Sequence, residues 1–575
     1  MLSFSFLLPW KQVEQTLPLK TGTSFGFVKS LPSNRYSSLW FRLGITLFNI
    51  VLGLSLPEVL VTKTLAAEQI YLDYGSLQFS LSVESLEIYA QEGRIEGNLA
   101  DYAGFFSSEQ LEQLRTALVT SIEITPLAVA QFLYSPHGEK ILEQVSRLIQ
   151  TKARQPGFYA IRSALILAAA DEEGLTPLNI LKKFPTYGIR LNSQKGFEII
   201  ENLSSIVQET EIAIAAVEET AQKEMEAETI VDLAPLPQFE NPGELTWEKT
   251  TLELRDRQRK RNFPVDLYLP KQAFIFARSP LIIISHGLGS DRTTFAYLAK
   301  HLASYGFAVA VPEHPRSNAS QIQALFDGFA NQVTPPRELL DRPLDIKYLL
   351  DYLEDNYREK INVRQAGIIG QSFGGYTALA LAGAQLNFTQ LTEVCPNIDN
   401  SLNLSLLLQC SALELPRTEV DVRDERIVAA IAINPLTSAI FGQEGFSQIE
   451  IPVMLISGSA DPVTPALPEQ IKPFTWLTTL DKYLVLLKGG THFSTLNESS
   501  GSIPVPSQAI GPDPKIAQTY LQQLSLIFFN GYVAKELEYQ AYLSPDYTAK
   551  ISRTLMPISL VRSLFLPSSI SQFEK

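Results

Sequence analysis

One serine sits where a hydroxyl can be turned into a nucleophile. Gly370-Gln371-Ser372-Phe373-Gly374-Gly375 follows an apolar run, AGIIG, and precedes a helix-forming stretch, YTALALAGA. A strand that turns sharply into a helix lifts a serine out of a sheet, and glycines two residues before and two after remove Cβ clashes at the turn. A serine hydroxyl needs a base. His492, in Gly489-Gly490-Thr491-His492-Phe493, follows the apolar run YLVLL. Asp461, in Ser459-Ala460-Asp461-Pro462-Val463, follows VMLIS. The chemistry assigns Ser372 the attack, His492 the proton transfer and Asp461 the fixing of the imidazole tautomer. Each residue alone has a plain reading: a serine in a glycine-rich turn, a turn aspartate before proline, a half-buried histidine. Their chain order and their positions after strands favour the chemical one.

These residues need a scaffold. From Leu245 onward, apolar runs alternate with helical stretches: Pro280–Ser285, Phe307–Val311, Ala366–Gly370, Val428–Ile433, Val453–Ser457 and Tyr483–Leu487. Continuous apolar strands are buried on both faces, and alternation with helices implies a mostly parallel, doubly wound sheet with right-handed crossovers. This is the grammar of an α/β-hydrolase fold. In that fold the tetrahedral oxyanion is met by two backbone N–H groups, one after the nucleophile and one from the loop after an earlier strand. Phe373 is the first donor. Leu288, in Ser285-His286-Gly287-Leu288-Gly289-Ser290, is the second. His286 reads as a structural residue that holds this loop. His314 reads as a loop histidine, with a place facing the pocket as the alternative.

Ahead of this lies other material. Gln69–Ser82 looks like a hairpin broken at Tyr74-Gly75-Ser76. Ser107-x-x-Gln110 is a capping-box pattern, and Thr125-Pro126 and Thr176-Pro177 open further helices. Ile161–Ala170 is apolar enough for a buried helix, and Gln194–Glu226 has helical periodicity. A proline-rich joint, Ala234-Pro235-Leu236-Pro237, closes the region. The division is therefore a targeting segment at 1–67, a smaller, mainly helical N-terminal domain at 68–235 and a hydrolase domain at 236–575. An insert at about 383–426 within the hydrolase domain is placed to cap the pocket.

The targeting segment rests on Leu43–Leu56, fourteen residues without a charge after Arg35 and Arg42, followed by Leu65-Ala66-Ala67. This fits a secretory signal and export to a periplasmic or extracellular space. It is short for a spanning helix, although a retained anchor at 43–56, and with it association with a membrane surface, stays open. The cysteines of the chain, Cys395 and Cys410, both fall in the insert. In an oxidising compartment they are allowed to bridge; two reduced thiols are the alternative.

Bulk properties narrow the field. A chain of 575 residues is too long for one ordinary core. Its net charge of −14 argues against a nucleic-acid partner. Five scattered histidines with no HExxH, and two cysteines, suggest no metal site, and no cofactor is expected. Oligomeric state is not legible.

The stretch SHGLGSDRTTFAYLAKHLASYGFAVAVPEHPRSNAS, with GQSFGG, SADPVTP and GGTHF, resembles the platelet-activating-factor acetylhydrolases and the dienelactone-hydrolase-like branch of the α/β hydrolases. The resemblance covers about 245–530. It implies a metal-independent acylhydrolase releasing short or oxidised acyl chains from esters or phospholipids, with Ser372, Asp461 and His492 as triad and Leu288 and Phe373 as oxyanion donors. The chain departs from the acetylhydrolase pattern at Gln371, where histidine is usual, and at Pro315. Residues 68–235 resemble the uncharacterised N-terminal domain fused to such hydrolases in cyanobacterial proteins. A non-catalytic binding protein on the same fold, and an acyltransferase or polyesterase using the same triad, are the competing readings.

Overall fold

The computed structural model describes residues 66–74, 77–227, 238–271, 278–400, 403–417, 421–497, 507–568 and 570. The apolar run at 43–56 lies outside them. Among the described residues no helix is long and apolar enough to cross a membrane.

Contacts divide the chain into two compact units, one of 1–124 with 149–192, the other of 125–148 with 193–575. In the first, helices predominate, as expected, around a small core of Leu86, Tyr89, Leu99, Leu111, Leu118 and Leu178. The capping box forms, with Ser107 Oγ accepting from the Gln110 amide and the Gln110 side chain returning to the Ser107 amide. The hairpin of β1 (Gln69–Tyr74) and β2 (Leu77–Ser82) also forms. It belongs to a four-stranded sheet completed by β3 (Ile149–Thr151) and β4 (Gly188–Leu191), in the order β2-β1-β4-β3. This sheet is an addition to the mainly helical expectation. Its last two strands are three and four residues long, and β4 pairs with β1 across more than a hundred residues of sequence.

The second unit holds a nine-stranded sheet. Its strands are β5 (Trp247–Asp256), β6 (Arg261–Pro270), β7 (Ser279–Ser285), β8 (Ala308–Pro312), β9 (Ile361–Gln371), β10 (Ile427–Ile433), β11 (Val453–Gly458), β12 (Lys482–Leu487) and β13 (Ile558–Val561). They lie in the order β13-β12-β11-β10-β9-β7-β8-β6-β5. The strands from β7 to β12 are mutually parallel; β5, β6 and β13 run antiparallel to their neighbours. Successive residues of the central strands feed opposite cores. Leu281, Ile283, Ile368 and Leu455 join one; Ile282, Ile284, Ile369 and Ile456 join the other. That is why these segments read as unbroken apolar runs.

The boundary expected near 235 is not where the contacts divide the chain. The helices Pro126–Leu133 and Pro136–Leu148 belong to the second unit, where Gln144 Nε2 donates to the Ile398 carbonyl at 3.3 Å. The 35-residue helix Ser193–Ala227 belongs there too. Its Ala213 and Val217 are fully buried in the sheet's core, and its Glu224 accepts from the amides of Arg562 and Ser563. A periodic helix shows a face in need of cover but not which core supplies it, so sequence grouped these helices with their neighbours in the chain.

The insert at 383–426 is ordered by helices at Phe388–Val394 and Ser405–Cys410. Cys395 and Cys410 are disulfide-bonded, with Cα atoms 5.7 Å apart. Buried Glu469 fastens the insert to the sheet. Its carboxylate accepts from Asn403 and Gln409 of the insert and from the amides of Thr437 and Ser438, while Gln409 Oε1 accepts from the amides of Ala439 and Ile440.

A cross-link closing fifteen residues is worth about 3 kcal/mol. Replacing both cysteines by serine should lower the melting temperature and speed hydrogen exchange across 388–414. Unchanged exchange in that segment would show that the bridge does not order the insert.

Candidate active site

β7 and β9 are neighbours, with Ser285 in register with Gly370, but the chain leaves β7 for β8 on one side and returns to β9 on the other. Such a reversal opens a crevice at the carboxyl ends of the strands. Ser372 stands at this point with φ 56° and ψ −118°. A non-glycine residue there carries about 1–3 kcal/mol of strain. The surroundings impose it. The Ser372 amide donates to the Ile433 carbonyl of β10 at 2.8 Å, and its carbonyl accepts from the Tyr376 amide at 3.0 Å in the helix Phe373–Leu381. A Cβ on Gly370 would meet the Gly374 carbonyl oxygen at 2.1 Å; one on Gly374 would meet the Ser285 carbonyl oxygen at 2.0 Å. The two glycines let strand, turn and helix pack backbone to backbone.

The helix is held from behind. In the helix Glu338–Tyr357, Pro343 lacks the N–H that would bond the Leu339 carbonyl. Tyr376 Oη, fully buried, donates to that carbonyl at 2.9 Å, and its ring stacks on Phe441 at 5.2 Å.

Asp461 and His492 meet. His492 Nδ1 lies 2.7 Å from Asp461 Oδ2, and both residues are buried. Asp461 is oriented by the amides of Val463 and Thr464, at 2.7 and 2.8 Å, and by Thr464 Oγ1 at 2.9 Å. A carboxylate with three donors and one imidazole has little freedom. Asn434, just past β10, ties the two loops together. Its Oδ1 accepts from the Gly458 amide at 2.8 Å and its Nδ2 donates to the Thr491 carbonyl at 3.2 Å. Its φ of 43° is a conformation asparagine tolerates. Gln371 links Ser372 to this assembly, donating from Nε2 to the His492 carbonyl at 3.1 Å. On its other side Gln371 Oε1 fills the space where Gly287 lacks a side chain; a Cβ there would lie 2.4 Å away.

Among the described residues no hydrogen bond joins Ser372 to the His492 ring. Catalytic contacts of this kind often tighten only when substrate is bound. The sheet brings together the loop segments around Ser372, Asp461 and His492.

Leu288 lies half-buried in a turn whose neighbours are engaged. The Gly289 amide donates to the Ser317 carbonyl at 2.9 Å and the Ser290 amide to the Gly287 carbonyl at 3.3 Å. Phe373 opens its helix, where the first amides have no intrahelical acceptor. His286 supports this loop, as expected. Its Nε2 accepts from the His314 amide at 3.0 Å and its Nδ1 faces the Gly287 carbonyl at 2.7 Å. His314 does not face the crevice. It is fully buried, with Nε2 3.0 Å from Ser285 Oγ and Nδ1 3.1 Å from Asp345. Burial, then the nearby charge of Arg342, holds both imidazoles well below the usual histidine range, so they are neutral at pH 7.

Beside the segment that follows Asp461 is a mostly apolar cavity of about 360 Å³. Val394 and Leu406 of the insert, Pro465 and Leu467 of the acid loop, Trp476, and Ile206 of the long helix line it. Sequence reasoning missed Asn434, Thr464, Glu469 and Arg342. Of these, Asn434-Pro435 at the end of an apolar run and Thr464 three residues after the acid stood in suggestive places. Glu469 and Arg342 sit in ordinary helical contexts.

Comparison with known proteins agrees with this architecture. Residues 66–192 match the family described as "Alpha/beta hydrolase of unknown function". Residues 271–340 match "Platelet-activating factor acetylhydrolase, isoform II", a span that holds β7, the Leu288 loop and β8 but ends before Ser372. Platelet-activating factor acetylhydrolase of Cavia porcellus is 23% identical over 288 residues, covering 46% of this chain and 60% of the relative. Those of Canis lupus familiaris and Bos taurus are each 28% identical over 145 residues, covering 17% of this chain and 31% of the relative. The chain thus spans at most about three-fifths of the length of these curated relatives. The nine-stranded sheet and these matches together show an α/β-hydrolase fold that is, over part of its length, similar to the platelet-activating factor acetylhydrolases.

Proposed function

We propose that the chain is a serine acylhydrolase acting on carboxylic esters through an acyl-enzyme. The observation that carries this reading is the strained turn at Ser372 together with the buried Asp461–His492 pair at the same edge of the sheet. With Asp461 on Nδ1, His492 presents Nε2 to the serine. It takes the hydroxyl proton as Ser372 Oγ attacks the ester carbonyl, then returns that proton to the departing alcohol. The amides of Leu288 and Phe373 receive the oxyanion. Water, activated by the same imidazole, then attacks the acyl-enzyme, the second oxyanion collapses and Ser372 is released.

The substrate class we infer is an ester with a short or oxidised acyl chain, phospholipids included. The motifs shared with the acetylhydrolases and the apolar cavity walled by the insert support it. Export is the matching location. The charge-free run at 43–56 after Arg35 and Arg42 supports it, and a bridged pair of cysteines suits an oxidising compartment.

Four outcomes are expected. A fluorophosphonate probe should label the wild type and not Ser372→Ala, and Asp461→Asn should lower kcat on p-nitrophenyl esters by about 10⁴-fold. Labelling that survives Ser372→Ala would refute the nucleophile. Val394→Trp, which fills the cavity, should lower kcat/KM on p-nitrophenyl octanoate more than on the acetate; an equal effect on both would remove the cavity from acyl recognition. N-terminal sequencing of the mature protein from its own host should find a start near Ala67; an intact 43–56 in a membrane fraction would favour an anchor.

A further inference from the structure

Arg342, in the helix Glu338–Tyr357, is fully buried, and neither the nucleophile nor its base uses it. Burial pushes its pKa down to about 9, which still leaves the guanidinium charged at pH 7. A buried cation is normally matched by a carboxylate in direct contact. Its neighbour Arg261 follows that rule. Arg261 Nη1 donates to Glu338 at 2.6 Å, and its Nε and Nη2 to Asp345 at 2.8 and 2.7 Å. Arg342 does not. Among the described residues no carboxylate lies within ion-pair distance of it, and its Nε has no hydrogen-bond partner.

What it touches instead is the pair of segments that carry the oxyanion donors. Arg342 Nη2 donates to the His286 carbonyl and to Ser285 Oγ at 3.3 Å, at the start of the loop that leads to Leu288. Its guanidinium carbon stands 4.4 Å from the ring centroid of Phe373, the residue that supplies the other amide. Nη1 donates at 3.2 Å to Ser317 Oγ, which donates in turn to Glu338 at 3.1 Å. The Ser317 carbonyl accepts from the Gly289 amide, so this third anchor also returns to the Leu288 loop. The balancing carboxylates Glu338 and Asp345 are thus engaged by Arg261, and a flat, five-donor cation is left facing neutral acceptors and an aromatic ring.

We propose that Arg342 is the positioning residue of the oxyanion hole. It sets the spacing between the Leu288 and Phe373 amides, and its charge, not cancelled by a direct ion pair, lies behind the site where negative charge develops. This rests on the acyl-enzyme reading above. A guanidinium suits the task because one planar group can fork to two acceptors and stack on a ring; an ammonium cannot do both.

The test compares wild type with Arg342→Lys, Arg342→Met and Ser317→Ala, the last leaving Arg342 in place with one anchor removed. Melting curves and circular dichroism establish which variants fold. The readouts are kcat and KM on p-nitrophenyl acetate, and affinity for a trifluoromethyl ketone, whose hemiketal anion mimics the tetrahedral oxyanion. Arg342→Met should lower kcat and ketone affinity together on the order of 10²-fold, as expected when such a site loses a donor. KM should change less than threefold. Arg342→Lys should fall between it and wild type, and Ser317→Ala should lose about tenfold in both readouts, a tenth of the donor loss. Folded variants with ketone affinity and kcat within twofold of wild type overturn the proposal, and Ser317→Ala alone decides it should the Arg342 variants not fold. Fluorophosphonate labelling of Ser372 in the wild type separates the two layers. An unlabelled wild type refutes the acyl-enzyme reading itself; a labelled wild type with unaffected variants refutes the role of Arg342 alone.

Discussion

Everything at the candidate site depends on a backbone that turns too tightly for side chains. At Ser372 a strand becomes a helix within one residue, and positive φ is the cost. Gly370 and Gly374 make the turn sterically feasible, because the carbonyl oxygens of Gly374 and Ser285 occupy the places their Cβ atoms would need. The fold then prevents relaxation. Ser372 is bonded by its amide to β10 and by its carbonyl into its own helix, and Tyr376 one turn on is bonded to a carbonyl that Pro343 leaves open. Strain of a few kcal/mol is small against the burial that opposes its release.

A second layer of order is electrostatic. The acid loop and the histidine loop each carry internal hydrogen bonds, and further bonds reach them from neighbouring strand ends. Asn434 bridges the two loops through backbone groups and Gln371 ties the nucleophile strand to the histidine loop, so that strand ends help to set the Asp461–His492 contact. Behind the Leu288 loop, Arg261, Glu338, Asp345 and the neutral pair His286 and His314 form a buried polar cluster. Such clusters add little net stability, but each member constrains the others' geometry.

The candidate residues could be picked out because their contexts are local: a glycine-flanked serine between strand and helix, an aspartate and a histidine each just past an apolar run. The parallel strands were legible because burial on both faces leaves no polar alternation to blur them. The antiparallel strands of the nine-stranded sheet were not singled out. β5 alternates Leu252 and Leu254, buried, with exposed Thr251 and Glu253, and β13 is only four residues long. Partner choice was the deeper loss. Nothing in the run Glu338–Tyr357 says that Arg342 faces neutral acceptors while Arg261, some eighty residues earlier, takes the carboxylates. Nor does the periodicity of 193–227 say which core it covers. Those facts belong to the tertiary arrangement, where residues far apart in sequence compete for the same few partners.

The central claim is that Ser372, the Leu288 and Phe373 amides and the His492–Asp461 pair form one acyl-transfer site. A crystal structure of the protein inactivated by a phosphonate tests it most directly. The account predicts phosphorus bonded to Ser372 Oγ, the phosphonyl oxygen within about 3 Å of both amides, and His492 Nε2 facing the ester oxygen. Phosphorus on another residue, or a phosphonyl oxygen turned away from Leu288 and Phe373, would contradict it.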